Sequence, residues 1–274
     1  MTDQITELKS LIQNKHPATV ISGAGISVAS GLPVYRDSKG NWVHSKPVEG
    51  PLFRADEKIR QRYWCRSFFG WPSFSRAQPN QAHEDIAKLE QHGLIETVIT
   101  QNVDGLHQRA GSTGAIALHG NLAEVICLSC GLISARDVLQ NRLAEKNPHH
   151  TQLEIKPAPD GDALIDDDHI ESFKVVSCDR CNGTLKPNVV FFGDNVPKER
   201  VQLCKDKLLQ SKLLLCVGTS LMVYSGFRFC KAAQSAGIPV AIINDGITRA
   251  DDMAVVRVGG NCTEALASLR HQLL

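Results

Sequence analysis

No sign of charge dominates this chain: 30 basic residues stand against 29 acidic ones, for a net charge of +1. No general field therefore draws it to nucleic acid or to an anionic membrane. No apolar run approaches the roughly 20 residues needed to cross a bilayer. The opening MTDQITELKS has neither the apolar stretch of a secretion signal nor the Arg-rich, acid-poor character of a transit peptide. These absences give the expectation of a cytoplasmic protein with no nucleic acid and no membrane among its partners. Nothing in the composition fixes the oligomeric state, and a monomer is the expectation.

What is present is a core. A chain of 274 residues with 42% hydrophobic content buries about three quarters of its unfolded surface, in one large domain or one with a smaller companion. Nine cysteines are an odd number, and two pairs fall in C-x-x-C spacing, Cys127–Cys130 and Cys178–Cys181. In a reducing compartment that spacing speaks for metal rather than disulfides. Two such knuckles provide tetrahedral sulfur ligation, the arrangement of closed structural zinc sites. One structural Zn²⁺ is therefore expected, with no open position for a catalytic water. A redox dithiol would account for one C-x-x-C but not for two. Gly131 follows the first pair and Gly183 lies close behind the second.

The segment joining the knuckles holds an amphipathic helix at 135–146 and then a His-, Pro- and Asp-rich surface excursion. Its acidic triplet, Asp166, Asp167 and Asp168, reads as a solvated loop or as a second metal site. Cys65, Cys204, Cys216 and Cys230 carry no spacing signal and are expected to pack in apolar surroundings.

Elsewhere one pattern recurs, in which a short apolar run stops at a polar cluster. Ala18–Ser22 runs into Gly23-Ala24-Gly25-Ile26-Ser27. Leu94–Ile99 runs into Thr100-Gln101-Asn102-Val103-Asp104. Leu213–Val217 runs into Gly218-Thr219-Ser220, and Val240–Ile243 into Asn244-Asp245-Gly246. Continuous apolar runs of this length, separated by helical stretches, predict parallel strands covered on both faces, a doubly wound α/β sheet of Rossmann-like type. Ligands bind such sheets beyond the carboxyl ends of the strands, where these clusters lie, and a dinucleotide is the candidate. Gly23-Ala24-Gly25 is an incomplete fingerprint, since Val28 stands where a third glycine belongs, so a tight turn remains the alternative. At the N-terminus Ile5, Leu8, Leu11 and Ile12 form one apolar helical stripe.

Two polar groups look chemical: the run Gln101-Asn102-Val103-Asp104, and His119 within Leu118-His119-Gly120. Together with Ser22–Ser27, Gly31-Leu-Pro-Val-Tyr35-Arg36, Thr100–His107, the four cysteines, Lys186–Asp194, Gly218–Ser220 and Asn244, they occur in the order found in sirtuins, NAD-dependent protein deacylases. The chain resembles that family from about residue 15 to 265. It is most similar to the class II, sirtuin 4-like branch in its bacterial form. That likeness rests on Ile59–Trp64, Gly70-Trp-Pro72, Gln78-Pro-Asn80 with Ala82-His83, and Ala158–Asp162.

The resemblance implies a Rossmann-like NAD domain over 1–36, 81–120 and 186–274. It implies a smaller domain made of a helical insertion, 37–80, and a zinc-binding module, 121–185. NAD, consumed as a co-substrate, would meet Gly23, Ala24, Gly25 and Ser27, with Tyr35 and Arg36 toward the nicotinamide side. The pyrophosphate would lie at the turn from Gly23 to Gly25 and at Ser220, with Gly218, Thr219 and Gly246 among the further cofactor-binding residues, Asn244 and Asp245 toward the adenosine end, and Cys262 near the adenine. Gln101, Asn102 and Asp104 would order the nicotinamide ribose and a water, and His119 would be the general base. The implied reaction cleaves NAD to nicotinamide and moves the acyl group of an acyl-lysine protein or peptide onto ADP-ribose.

Val189, Phe191, Phe192 and Gly193 would line the substrate peptide, which can add as a strand, or form an interior strand, or do both. Tyr63 and Arg66, at i and i+3 of a helix, share a face. In a related branch such a pair reads the carboxylate of acidic acyl chains; otherwise Tyr63 packs beside Trp64 while Arg66 makes a surface ion pair. Val34 and Asn188 depart from the family pattern, which has polar or acidic residues there. Protein ADP-ribosylation, or NAD sensing without turnover, would share every cofactor motif.

Overall fold

The computed structural model describes residues 2–43, 47–150, 156–165 and 167–274. Among them are eleven strands: β1 (Ala18–Ser22), β2 (Ile95–Thr100), β3 (Ala115–Ala117), β4 (Gly120–Cys127), β5 (Ile133–Ala135), β6 (Lys156–Ala158), β7 (Asp162–Leu164), β8 (Leu185–Val189), β9 (Leu213–Val217), β10 (Val240–Ile243) and β11 (Ala254–Val258). The helices are α1 (Thr2–Asn14), α2 (Gly50–Ala55), α3 (Glu57–Arg76), α4 (Gln81–Gln91), α5 (Leu106–Arg109), α6 (Arg136–Lys146), α7 (Asp167–Ser172), α8 (Lys198–Gln210), α9 (Tyr224–Ser235) and α10 (Cys262–Leu273). None of the helices among the described residues is long and apolar enough to cross a membrane.

The chain divides into two compact units, Met1–His44 with Gln78–Leu118 and Val196–Leu274, and Ser45–Ala77 with His119–Asn195. The first carries a six-stranded sheet in the order β11-β10-β9-β1-β2-β3, every neighbouring pair parallel. Counted by appearance within this sheet the order is 3-2-1-4-5-6, the doubly wound arrangement, and the strand order reverses between β1 and β9. All residues of β1, β9 and β10 are buried, because helices cover both faces and leave no solvent side for an alternating pattern. From α1, Ile5, Leu8 and Ile12 are buried in this core while Leu11 packs at its margin.

The second unit holds the antiparallel sheet β5-β4-β8 and the hairpin β6-β7. Its core gathers Phe53, Trp64, Phe68 and Phe69 from α2 and α3 with Val125, Leu139, Leu143 and Phe173. Pro72 sits inside α3 and has no N–H for the carbonyl of Phe68 one turn back. Gln140 Nε2 from α6 donates to that oxygen instead, at 2.9 Å.

The unit boundaries differ from those expected from the sequence, for local reasons. Residues 37–43 join the first unit because Ile247 N–H bonds Ser38 O at 3.1 Å. Asn80 belongs there as well: it caps α4 and its Nδ2 donates to Ile26 O at 2.8 Å. Residues 186–195 fall in the second unit, since β8 pairs with β4 rather than with the parallel sheet. The acidic triplet lies in part outside the described residues, at Asp166.

One ion pair fastens α10 to α4. Arg270 reaches Asp85 at 2.6 Å, and the Asp85 side chain is fully buried, with Gln81 Nε2 as a further donor at 2.8 Å. Removing the cation strands a buried carboxylate. Arg270→Ala is expected to lower the unfolding free energy by about 3 kcal/mol, measured by urea denaturation, with Arg270→Lys recovering part of the loss.

Candidate functional site

At the reversal point of the parallel sheet the loops after β1 and β9 meet backbone to backbone. Gly25 N–H donates to Gly218 O at 2.8 Å and Gly23 N–H to Val217 O at 3.3 Å. A Cβ on Gly25 would lie 2.8 Å from Gly218 O, and one on Gly218, whose φ is +57°, would lie 2.5 Å from Ile26 N. Only glycine permits that approach. Close approach of the two loops is thus one requirement that Gly25 and Gly218 meet.

The expected polar residues converge on these loops. Ser27 is buried; its hydroxyl donates to Asp104 Oδ2 at 2.7 Å and accepts from Asn102 Nδ2 at 3.0 Å. Asn102 Nδ2 also donates to Gly23 O at 3.1 Å. Gln101 Nε2 donates to Thr219 Oγ1 at 2.8 Å and to Ser22 O at 3.2 Å. Gly23, Ser27, Gln101, Asn102, Asp104 and Thr219 therefore form one network spanning the ends of β1, β2 and β9. Burial raises the Asp104 carboxyl, while the Leu106 N–H and the Ser27 hydroxyl pull it back down.

The remaining residues lie around this network. Arg36 stacks its guanidinium on Trp42, 4.0 Å from the ring centroid, and donates to Gly40 O at 2.7 Å; Tyr35 meets the same indole edge-on at 6.2 Å. The Arg249 N–H bonds Ser220 O at 2.9 Å. Asn244 Nδ2 closes its own loop on Gly246 O at 2.8 Å, leaving Asp245 exposed. The Cys262 thiol, pushed up by burial, donates to Gly25 O at 3.4 Å and so ties α10 to the glycine loop.

Sequence reasoning assigned no role to His83 and His107, although both lay inside quoted motifs. Both rings are fully buried, with centroids 4.9 Å apart. His107 Nε2 pairs with Ser22 Oγ at 2.8 Å, and Asn80 N–H donates to His83 Nδ1 at 3.3 Å. Burial pulls His83 down to about 4 and His107 to about 3, so the pair is neutral at pH 7. Only tertiary burial distinguishes these histidines from exposed ones.

In the second unit His119 precedes β4, half-buried, and its carbonyl accepts Val190 N–H at 2.7 Å. Gly120 follows because its φ is +89° and a Cβ there would lie 2.1 Å from Asn188 O. Asn188 Nδ2 donates to Glu124 Oε2 at 2.7 Å, which accounts for the missing acid at 188: an aspartate would face a carboxylate. Val189 ends β8. Phe192 O accepts Gly50 N–H at 2.8 Å, Gly193 is exposed, and Asp194 takes both Arg54 terminal nitrogens at 2.7 and 3.1 Å.

Phe191 forms an aromatic triangle with Phe53 and Tyr63, the centroids 5.2, 5.2 and 5.4 Å apart. Burial pushes the Tyr63 phenol up. Arg66 does not stand open beside it: its guanidinium pairs with Asp162 at 2.7 Å and its Nε donates to Ala163 O at 2.8 Å. Tyr63 also meets Trp64 edge-on at 5.2 Å, while the Arg66 pair is not the surface pair expected, its arginine side chain being 11% exposed; the arginine already holds a carboxylate.

The four predicted ligands Cys127, Cys130, Cys178 and Cys181 come together with all sulfurs within 4.8 Å of one another. Cys127 and Cys181 stand 3.5 Å apart, and Cys130 and Cys178 3.8 Å. Tetrahedral zinc with Zn–S of about 2.3 Å sets neighbouring sulfurs about 3.8 Å apart, so the cluster could hold zinc. The knuckles are alike: Gly131 N–H bonds Cys127 O at 3.0 Å and Asn182 N–H bonds Cys178 O at 2.8 Å, both residues left-handed, at φ 70° and 59°. Asn182 rather than Gly183 is thus the counterpart of Gly131. Gly183 instead makes room for Ser129, whose Oγ would lie 2.4 Å from a Cβ there. One zinc per chain is expected by elemental analysis, and stripping it is expected to melt the second unit before the first, read by hydrogen exchange; unchanged protection after complete removal would refute a structural role.

A Sir2 family model matches residues 23–225. The chain is 46% identical over 262 residues to an NAD-dependent protein deacetylase 2 of Bradyrhizobium diazoefficiens, covering 96% of each. It is 46% identical over 274 residues to an NAD-dependent protein deacetylase of Xanthomonas campestris, covering 98% of this chain and 94% of that one. Among solved structures, a Sir2 with p53 peptide and NAD+ matches with a TM-score of 0.78 at 30% identity, covering 98% of each chain. A Sir2 bound to acetylated peptide gives 0.74 at 28% identity, again over 98% of each. With likeness of this degree running almost from end to end, the chain belongs to the Sir2 family, the sirtuins.

Proposed function

We propose that the chain is an NAD-dependent protein-lysine deacylase, and that acyl-lysine proteins or peptides are its substrates. The observation that carries the reading is the network of Ser27, Gln101, Asn102, Asp104 and Thr219 at the strand-order reversal, in a chain 46% identical to deacetylases. The Asn102 amide and the Asp104 carboxyl are held by Ser27, which orients them for a ribose and a water. The turn from Gly23 to Gly25, with Ala24, and Ser220 take the pyrophosphate, and Gly218 keeps the two loops close enough for both to reach it. Tyr35 and Arg36 serve the nicotinamide side, and Asn244, Asp245, Gly246 and Cys262 the adenosine end. NAD, once bound, supplies an electrophilic sugar carbon for the acyl oxygen. His119 takes the ribose hydroxyl proton, a task suited to an imidazole at pH 7. A zinc would be held by Cys127, Cys130, Cys178 and Cys181, and four thiolates would leave it no open position, which would give it a structural task. The cytoplasm is the compartment consistent with reduced ligands.

The engagement of Arg66 by Asp162 favours neutral over acidic acyl groups, because a second carboxylate would have to displace a partly buried partner. In a panel of acetyl-, succinyl-, glutaryl- and lipoyl-lysine peptides, nicotinamide release is expected to be slower with succinyl and glutaryl than with acetyl; faster release with the acidic pair would reverse this reading.

Positioned bases contribute about 10² to 10⁴ in rate, so His119→Ala is expected to lower kcat at least about 100-fold with zinc content and Tm preserved. Mass spectrometry of the wild-type products is expected to give free lysine peptide and O-acyl-ADP-ribose. ADP-ribose retained on protein would instead mark a transferase, and absence of nicotinamide release a sensor.

A further inference from the structure

Lys186 is an unusual lysine. It lies in β8, is 7% exposed, and its ammonium turns back over its own chain. Nζ donates to Val189 O and, at 3.3 Å, to Pro187 O, and it stands 4.4 Å from the centroid of the Phe191 ring. An ammonium has three N–H groups; two carbonyls and one aromatic face use all three. Burial pulls it down to about 8, with Asp194 pulling it up and Arg54 pushing it further down, so at pH 7 it is still mostly charged.

The consequences of this clamp lie just beyond the strand. Past Val189 the chain leaves the β4 ladder, and Val190 N–H reaches His119 O at 2.7 Å. Phe191 then closes the triangle with Phe53 and Tyr63. Hydrophobic burial alone would place an aromatic ring there without fixing its face. A desolvated cation over that face does fix it, and the bond to Val189 O sets the exit angle that aims Val190 at the histidine backbone.

We propose that Lys186 is a positioning residue for the acyl-lysine substrate: β8 is an edge strand of the β5-β4-β8 sheet, open to an added peptide strand, and by clamping Val189 O and the face of Phe191 Lys186 would shape the segment such a peptide meets. This rests on the deacylase reading. A lysine that served stability alone would lower Tm on removal, by leaving two carbonyls without a donor, and would not act selectively on peptide binding.

The test uses the full-length, zinc-loaded protein at pH 7, with Lys186→Met, which keeps length and apolar bulk, and Lys186→Arg, which keeps a cation and donors. Binding of a fluorescent acetyl-lysine peptide is read by anisotropy, turnover by nicotinamide release, and stability by Tm. Lys186→Met is expected to weaken peptide binding and raise the peptide KM by about tenfold, with the KM for NAD within about twofold of wild type. Lys186→Arg is expected to recover most of that loss. Peptide binding by Lys186→Met equal to wild type overturns the proposal. So does a loss shared equally by the KM for NAD, or one that follows a fall in Tm and is not recovered in Lys186→Arg. Wild-type protein that binds peptide but releases no nicotinamide would sink the deacylase reading while leaving the clamp to be judged by anisotropy.

Discussion

The first unit depends on two loops that approach to backbone contact where the strand order of the parallel sheet reverses. Because Gly25 N–H bonds Gly218 O at 2.8 Å, no side chain fits there, and the polar residues of the neighbouring strand ends must satisfy one another across that contact. Ser27 is the hub: it gives its one proton to Asp104 and receives one from Asn102. Its burial excludes water as a substitute partner, so these side chains gain fixed directions before any ligand arrives. Such preorganisation is what a site must supply if binding is to order a reacting group. Beneath it, two neutral histidines fill volume while still offering ring nitrogens to hydrogen bonds.

The second unit meets a different difficulty, since it is small and carries several charges in its interior. Arg136 is 1% exposed, its guanidinium 5.4 and 5.2 Å from the Trp64 and Trp71 ring centroids, with Ser67 accepting at 3.2 and 3.3 Å. Arg66 is matched by Asp162, and Lys186 by two carbonyls and a ring. Charges held this way specify geometry more than they add stability. A metal at the four cysteines would complement them, because the knuckle at Cys127 begins where β4 ends and the knuckle at Cys178 leads into β8. The strand pair that carries Gly120 and Val189 would then be pinned at its far end.

Much of this was legible in the residue order. The continuous apolar runs specified parallel strands to within a residue, with β2 one position later than the run suggested, because a strand buried on both faces has no polar alternation to disguise it. The sulfur quartet was legible because ligand spacing is local. Less legible were positions whose meaning depends on what faces them. Asn188 looked like a departure until Glu124 was found opposite it. For Arg66 the sequence left two uses open, acyl recognition or an ion pair, and only the β6-β7 hairpin brings Asp162 to it. Residues 186–195 read as part of the Rossmann-like domain, whereas β8 pairs with β4 in the second unit.

By itself, then, the sequence determined the sheet type, the four thiol ligands and the set of polar residues at the strand ends. Each of these follows from short-range periodicity or spacing that survives without knowledge of the partner. The tertiary structure alone decided which charges are engaged, which histidines are neutral and how Lys186 is used. Those properties depend on desolvation and on a facing group many residues away, and neither is encoded in any local stretch of the chain.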